Sequence, residues 1–171
     1  MSELIVLRLV HVVGGIFWVG SAILTTFFLM PALASVGPSA AQVMAALQRR
    51  RLFTTLPVAA VLTILSGLRL LWLTSGGLAP GYLSSARGAT YAASGAAAIG
   101  AFILALAVVR PAVVRAGELG AKLGASATPE ERDQVTAELA RLRQRSALLG
   151  TVVAWVLILS AAGMAVARYL V

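Results

Sequence analysis

The sequence predicts an all-α integral membrane protein: a four-helix bundle with a cytoplasmic helical extension preceding the last helix. Three observations predict it. Charged residues make up only 12% of the 171 residues and hydrophobic ones 60%, where a soluble domain carries roughly 25% charged residues. Residues 9–48, 52–68, 70–86, 88–109 and 146–167 contain no Asp, Glu, Lys or Arg. Such runs match the roughly 20 mostly apolar residues that cross a bilayer, and a backbone in lipid must satisfy its own hydrogen bonds as helix. A water-soluble fold, disorder and a nucleic-acid partner are therefore excluded, although the net charge is +8. A basic excess in so apolar a chain reports membrane orientation. Without any Cys, disulfides, thiolate metal sites and Cys nucleophiles are absent too.

The first span is expected over residues 4–30. Ala32-Leu33-Ala34 resembles a signal-peptide cleavage site, but the apolar run before it is far longer than a signal h-region of roughly 7–15 residues. It is read as a retained helix, ended by Met30-Pro31-Ala32. The second span is expected over 52–73, with Pro57 in its early turns, where a proline costs little. The third, over 89–109, is rich in small residues and is ended by Arg110-Pro111-Ala112. Its pairs Ser94–Ala98 and Ala96–Gly100 allow close helix approach, either inside the bundle or in a homodimer. An arm over about 111–147 holds five of the six acids. Within it, Thr128-Pro129-Glu130-Glu131 is a helix start, with Thr at the N-cap and Pro at the first position. That helix is expected to run into the last span, 148–170. The alternative is an arm that binds a partner protein or the lipid surface.

The chain is read as one membrane domain, 1–171, with a weak internal duplication. Met30-Pro31-Ala32 corresponds to Arg110-Pro111-Ala112, and Leu47-Gln48-Arg49-Arg50 to Leu142-Arg143-Gln144-Arg145. Ten basic residues fall on the side of the 49–51 loop and the arm, and four (Arg8, Arg69, Arg87 and Arg168) on the other. The richer side is expected to be cytoplasmic. Both termini then face the periplasm or exterior of a bacterial inner membrane.

No carboxylate lies within the spans, so a carboxylate proton relay is not expected. The groups capable of chemistry gather at the outer end. His11, the only histidine, lies seven residues past Leu4, about 10 Å along the helix. Arg8 shares its face one turn outward, and Gly15 and Trp18 follow at helical spacing. Arg69 is expected at similar depth on the second span. Tyr91 opens the third, and Arg168-Tyr169 closes the fourth. This pattern suits a porphyrin. Imidazole ligates haem iron, guanidinium pairs with propionates, and Gly15 leaves room for a flat ring beside Trp18. A quinone head group would also find partners in His and Tyr. Structural readings stand beside these: His11 hydrogen-bonding a neighbouring helix, the arginines snorkelling to the interface, Trp18 packing in the core, and Tyr91 in an interfacial aromatic belt.

Arg8-Leu9-Val10-His11, followed by Trp18-Val19-Gly20, resembles the first helix of the bacterial copper-resistance D superfamily, which includes the HemJ-type protoporphyrinogen oxidases. Arg51-Leu52, Pro57 and Ser66-Gly67-Leu68 resemble its second helix, and Met164-Ala165-Val166-Ala167-Arg168-Tyr169 the ending of small four-helix members. The resemblance implies a four-helix bundle with haem binding through His11. Two features depart from the oxidases: Arg87 is a loose match to their basic residue opening helix three, and Arg143-Gln144-Arg145-Ser146 replaces their Asn-Glu-x-Pro-like segment. An uncharacterised haem-binding or accessory member is therefore expected.

The expectation is a membrane protein binding b-type haem or another porphyrin for electron transfer or haem handling. His11 would be the axial ligand, Arg8 and Arg69 the propionate partners, and Gly15, Trp18 and Tyr91 the remaining lining. Whether it is an enzyme stays open. The alternatives are an accessory subunit of a larger membrane complex and a copper or small-solute transporter. The expected partners are the lipid bilayer and a homo-oligomer or membrane complex.

Overall fold

The computed structural model describes residues 2–37, 39–123 and 128–170. Residues 124–127, inside the expected arm, lie outside the described residues. The chain is all-α, with no strand among the described residues. Four helices are long and apolar enough to cross a membrane: Glu3–Ser35, Leu52–Thr74, Ala86–Gly120 and Pro129–Ala167. The first three each cover one expected span, and the fourth ends at Ala167, three residues before the expected end at 170.

Helix α1 (Ser2–Leu24) passes through a π-helical turn (Thr25–Leu29) into α2 (Met30–Ser35). A short helix α3 (Ser39–Arg49) leads to α4 (Leu52–Thr74). Helix α5 (Ala86–Leu104) passes through a second π-helical turn (Ala105–Val109) into α6 (Arg110–Leu123), and α7 runs over Pro129–Ala167.

The two expected proline stops are corrected here. Neither Pro31 nor Pro111 ends its helix. A proline inside an α-helix lacks the N–H for the backbone ladder, and its ring clashes with the carbonyl four residues back. Each proline here follows a π turn, in which Met30 N–H donates to Thr25 O and Arg110 N–H donates to Ala105 O. The widened turn reaches five residues back, and the helix carries on beyond the proline.

The helix start at Pro129 stands as expected. Thr128 has extended backbone and its hydroxyl accepts from Glu131 N–H at 3.3 Å. Helix α7 then runs unbroken from the arm through the last span. Its first half pairs with α6, burying Ala112, Leu119 and Leu139. Arg115 reaches Glu138 across that pair and Glu118 on its own helix, each at 3.5 Å.

The bundle is built from two hairpins. Helix α1 packs chiefly on α4, and α5 on α7; α1–α7 and α4–α5 contacts join the pairs. Close approach within each hairpin depends on glycine. A Cβ on Gly14 would stand 2.6 Å from Thr63 Oγ1, and one on Gly163 would strike Ser94 Oγ. The hairpins repeat one plan. The π turns are 80 residues apart, as are Pro31 and Pro111. On the return helices, buried Ala60 and Thr63 correspond to buried Leu157 and Ser160, each 97 residues on. The expected duplication thus has a structural counterpart.

The α4–α5 loop lies at the end of the bundle where α1 begins and α7 finishes, called here the terminal end. Gly76, Gly77 and Leu78 take positive φ in succession. The turn is held by Gly77 N–H donating to Trp72 O and Leu78 N–H donating to the buried Ser75 hydroxyl.

Candidate functional site

The buried core of the bundle draws on all four long helices: Trp18, Ala60, Ala98, Ala101, Val153 and Leu157. Trp18 is buried and meets Phe102 edge-to-face at 6.0 Å. Trp18 therefore fills the core, one of the two roles its position suggested.

One turn nearer the terminal end lie Gly14, Thr63, Ser94 and Ser160. Buried hydroxyls need partners, and these use helix carbonyls. Thr63 donates to Ala59 O at 2.8 Å and Ser66 to Leu62 O at 2.6 Å. Ser160 donates across the hairpin to Ser94 O at 2.6 Å. Gly15 borders this layer, but its side-chain direction meets the Thr63 methyl at 3.7 Å. Close helix packing occupies the room expected for a flat ring there.

His11 stands one turn further out, half-buried, with its ring against Gly67 of α4. A Cβ on Gly67 would lie 2.6 Å from His11 Cε1 and 2.9 Å from Nδ1. His11 Nδ1 lies 2.8 Å from Thr63 O. A carbonyl oxygen only accepts, so Nδ1 carries a proton, and the neutral form of the ring would have its lone pair on Nε2. Among the described residues Nε2 has no hydrogen-bond partner, yet no buried polar side-chain atom is left unsatisfied. Nε2 therefore retains accessible surface.

The basic residues separate. Arg69 Nε donates to Glu3 Oε1 at 2.8 Å, so it is already paired with an acid. Arg8 is exposed and makes no ion pair among the described residues. Arg87 Nε donates to Leu170 O at 3.2 Å, and the Arg168 guanidinium lies 4.8 Å from the Tyr169 ring centre. Tyr91 is half-buried on α5.

Of the six residues singled out from sequence, His11 and Gly15 face α4, Trp18 is core, Arg8 and Arg69 stand at the exposed rim, and Tyr91 belongs to the other hairpin. Thr63 O and Glu3 were missed, as was the contact of Gly67, quoted for the second helix, with the His11 ring. The first is a backbone atom with no sequence signature. Glu3 sits 66 positions from its partner. The Gly67 contact could have been found, since that glycine lies seven residues from Ala60 on one helix face.

Outside the bundle, a shallow groove of about 500 Å³ runs along the α1–α4 seam between Val10, Val13 and Phe17 on one side and Ala59 and Leu62 on the other. It presents almost no polar surface and lies apart from the His11 imidazole. No family model, curated protein or solved structure matches this chain.

Proposed function

We propose that this chain is a multi-pass bacterial inner-membrane protein that binds b-type haem or a related porphyrin at the terminal end of its bundle, with His11 Nε2 as axial ligand. The observation that carries this is the fixed tautomer. A metal-binding imidazole characteristically donates its other N–H to a carbonyl or carboxylate, which orients the ring and raises its basicity. The Nδ1–Thr63 O bond has that form, and Gly67 holds the ring in place. The His11 donor suits the group, with two adjustments: helix packing fills the space beside Gly15, and Arg8 is the available propionate partner, because Arg69 is engaged by Glu3.

When bound, haem would supply one-electron chemistry or porphyrin carriage. The protein's own contributions are to orient Nε2, keep the proton on Nδ1, and exclude water with the hydroxyl-and-glycine layer beneath. The asymmetry of ten basic residues against four supports a topology with the arm in the cytoplasm and the terminal end outside.

The test is an absorption spectrum of the detergent-purified protein, oxidised and reduced, with wild type beside His11→Ala and haem supplied during expression. A Soret band in wild type that is lost in His11→Ala supports ligation. A wild type without chromophore overturns it.

One observation favours a second reading, a subunit of a larger complex or homo-oligomer. The two small-residue pairs of α5 part company: Ser94 and Ala98 are buried in the bundle, whereas Ala96 and Gly100 are exposed, with nothing within 4 Å of the Cβ position of Gly100. Co-purification of a stoichiometric partner, lost in Gly100→Leu, would support it.

A further inference from the structure

The shallow groove on the α1–α4 seam leads towards a charged pair at the terminal end. Val10 and Leu62 line its two walls. Glu3 precedes Val10 by seven residues, and Arg69 follows Leu62 by seven. Each charge therefore lies two turns further out on the helix face that lines the groove. The 2.8 Å contact between Arg69 and Glu3 closes across the same seam.

Depth sorts the two parts. The groove residues Leu9 to Phe17 lie about 9–21 Å along the helix from Glu3. A hydrocarbon core is roughly 30 Å thick, so a half-exposed ion pair at the headgroup level puts the groove among the acyl chains of one leaflet. Charge at the rim with an apolar trough below it matches a single phospholipid.

The pair also selects the headgroup. Arg69 spends only Nε on Glu3; its other guanidinium N–H groups and Glu3 Oε2 make no hydrogen bond among the described residues. Guanidinium N–H groups donate well to phosphate, and a carboxylate only accepts. A primary ammonium next to the phosphate would donate to Oε2. A quaternary ammonium has no N–H to give, and a glycerol headgroup has no positive charge to meet Glu3. We infer that the groove and its rim hold one phosphatidylethanolamine molecule from the bilayer, with an acyl chain in the trough, its phosphate on Arg69 and its ammonium on Glu3. The inference is independent of haem binding.

The experiment uses the full-length protein, delipidated in detergent. It is incubated with an equimolar mixture of phosphatidylethanolamine, phosphatidylglycerol and phosphatidylcholine carrying identical acyl chains, and bound lipid is counted by native mass spectrometry. Wild type is expected to bind one phosphatidylethanolamine per chain, favoured about threefold over each of the others, the size of one exposed charge contact. Glu3→Gln should erase that preference, and Arg69→Gln should lower binding of all three lipids. Val13→Phe obstructs the groove and should reduce bound lipid. Leu159→Phe, on the other hairpin, should not. All four positions are exposed, so these variants keep the packed core. Equal binding of the three lipids by wild type overturns the headgroup assignment. Val13→Phe losing no more lipid than Leu159→Phe overturns the groove as the site. Displacement by water-soluble glycerophosphoethanolamine as effective as by the intact lipid would also overturn it, since the acyl chain would then contribute nothing.

Discussion

The His11 ring sits in a notch that exists only because position 67 has no side chain. Gly67→Ala would put a methyl 2.6 Å from Cε1, so the imidazole must swing off the Thr63 carbonyl. Overpacking of this kind costs about 1–3 kcal/mol. The expected result is a lower melting temperature in detergent and a loss of haem uptake as large as that of His11→Ala. Unchanged uptake would show that the Nδ1 bond does not position the ring. A cheaper substitution is expected to stabilise the protein. Leu78 holds φ of 61°, a region that costs a side-chain-bearing residue roughly 1–2 kcal/mol. Leu78→Gly should recover about 1 kcal/mol by thermal unfolding, offset in part by glycine's unfolded-state entropy. At this scale the sequence singled out His11 because a lone titratable ring in an apolar run stands out. Its acceptor did not stand out, because every residue has a carbonyl.

The helices were legible at their polar boundaries and misread at their prolines. Charge-free runs located all four spans, and the Thr128 cap fixed the start of α7. The general rule that proline stops a helix failed at Pro31 and Pro111, because a π turn before each absorbs the missing donor. Nothing local in Thr25–Leu29 or Ala105–Val109 announces a π turn; only its recurrence at the same point of both hairpins does. The cap can be tested at its own scale. Thr128→Ala removes the acceptor for Glu131 N–H, and losing an N-cap costs about 1 kcal/mol. Amide exchange at Glu130–Asp133 should quicken, while the bundle's melting temperature stays within error. A cooperative loss of the whole bundle would mean that the arm and the spans fold as one unit.

Across the whole molecule, composition gave the class and charge an expected sidedness, but helix pairing was out of reach. Pairing depends on where Gly14, Gly67 and Gly163 let backbones meet, and many other small residues would serve equally on paper. Sidedness has a clean assay, since the chain has no cysteine. In intact cells a membrane-impermeant maleimide should label Ser84→Cys, in the α4–α5 loop. Ser35→Cys, at the opposite end of the bundle, should label only after lysis. The reverse pattern would invert the topology and move His11 to the cytoplasmic side. The Arg69–Glu3 pair joins α1 to α4 at the rim, but both side chains are about half exposed. An exposed pair contributes about 0–1 kcal/mol, so Glu3→Gln should barely move the melting temperature.

The repeated hairpin plan bears on symmetry. Two identical hairpins related by a two-fold axis along the membrane normal would have to present the same side chain from both sides. Joined in one chain, the two copies are released from that identity. Position 11 of the first and its counterpart 80 residues on, Tyr91, can then differ. The bundle can then carry an imidazole in one hairpin and a phenol at the matching position of the other.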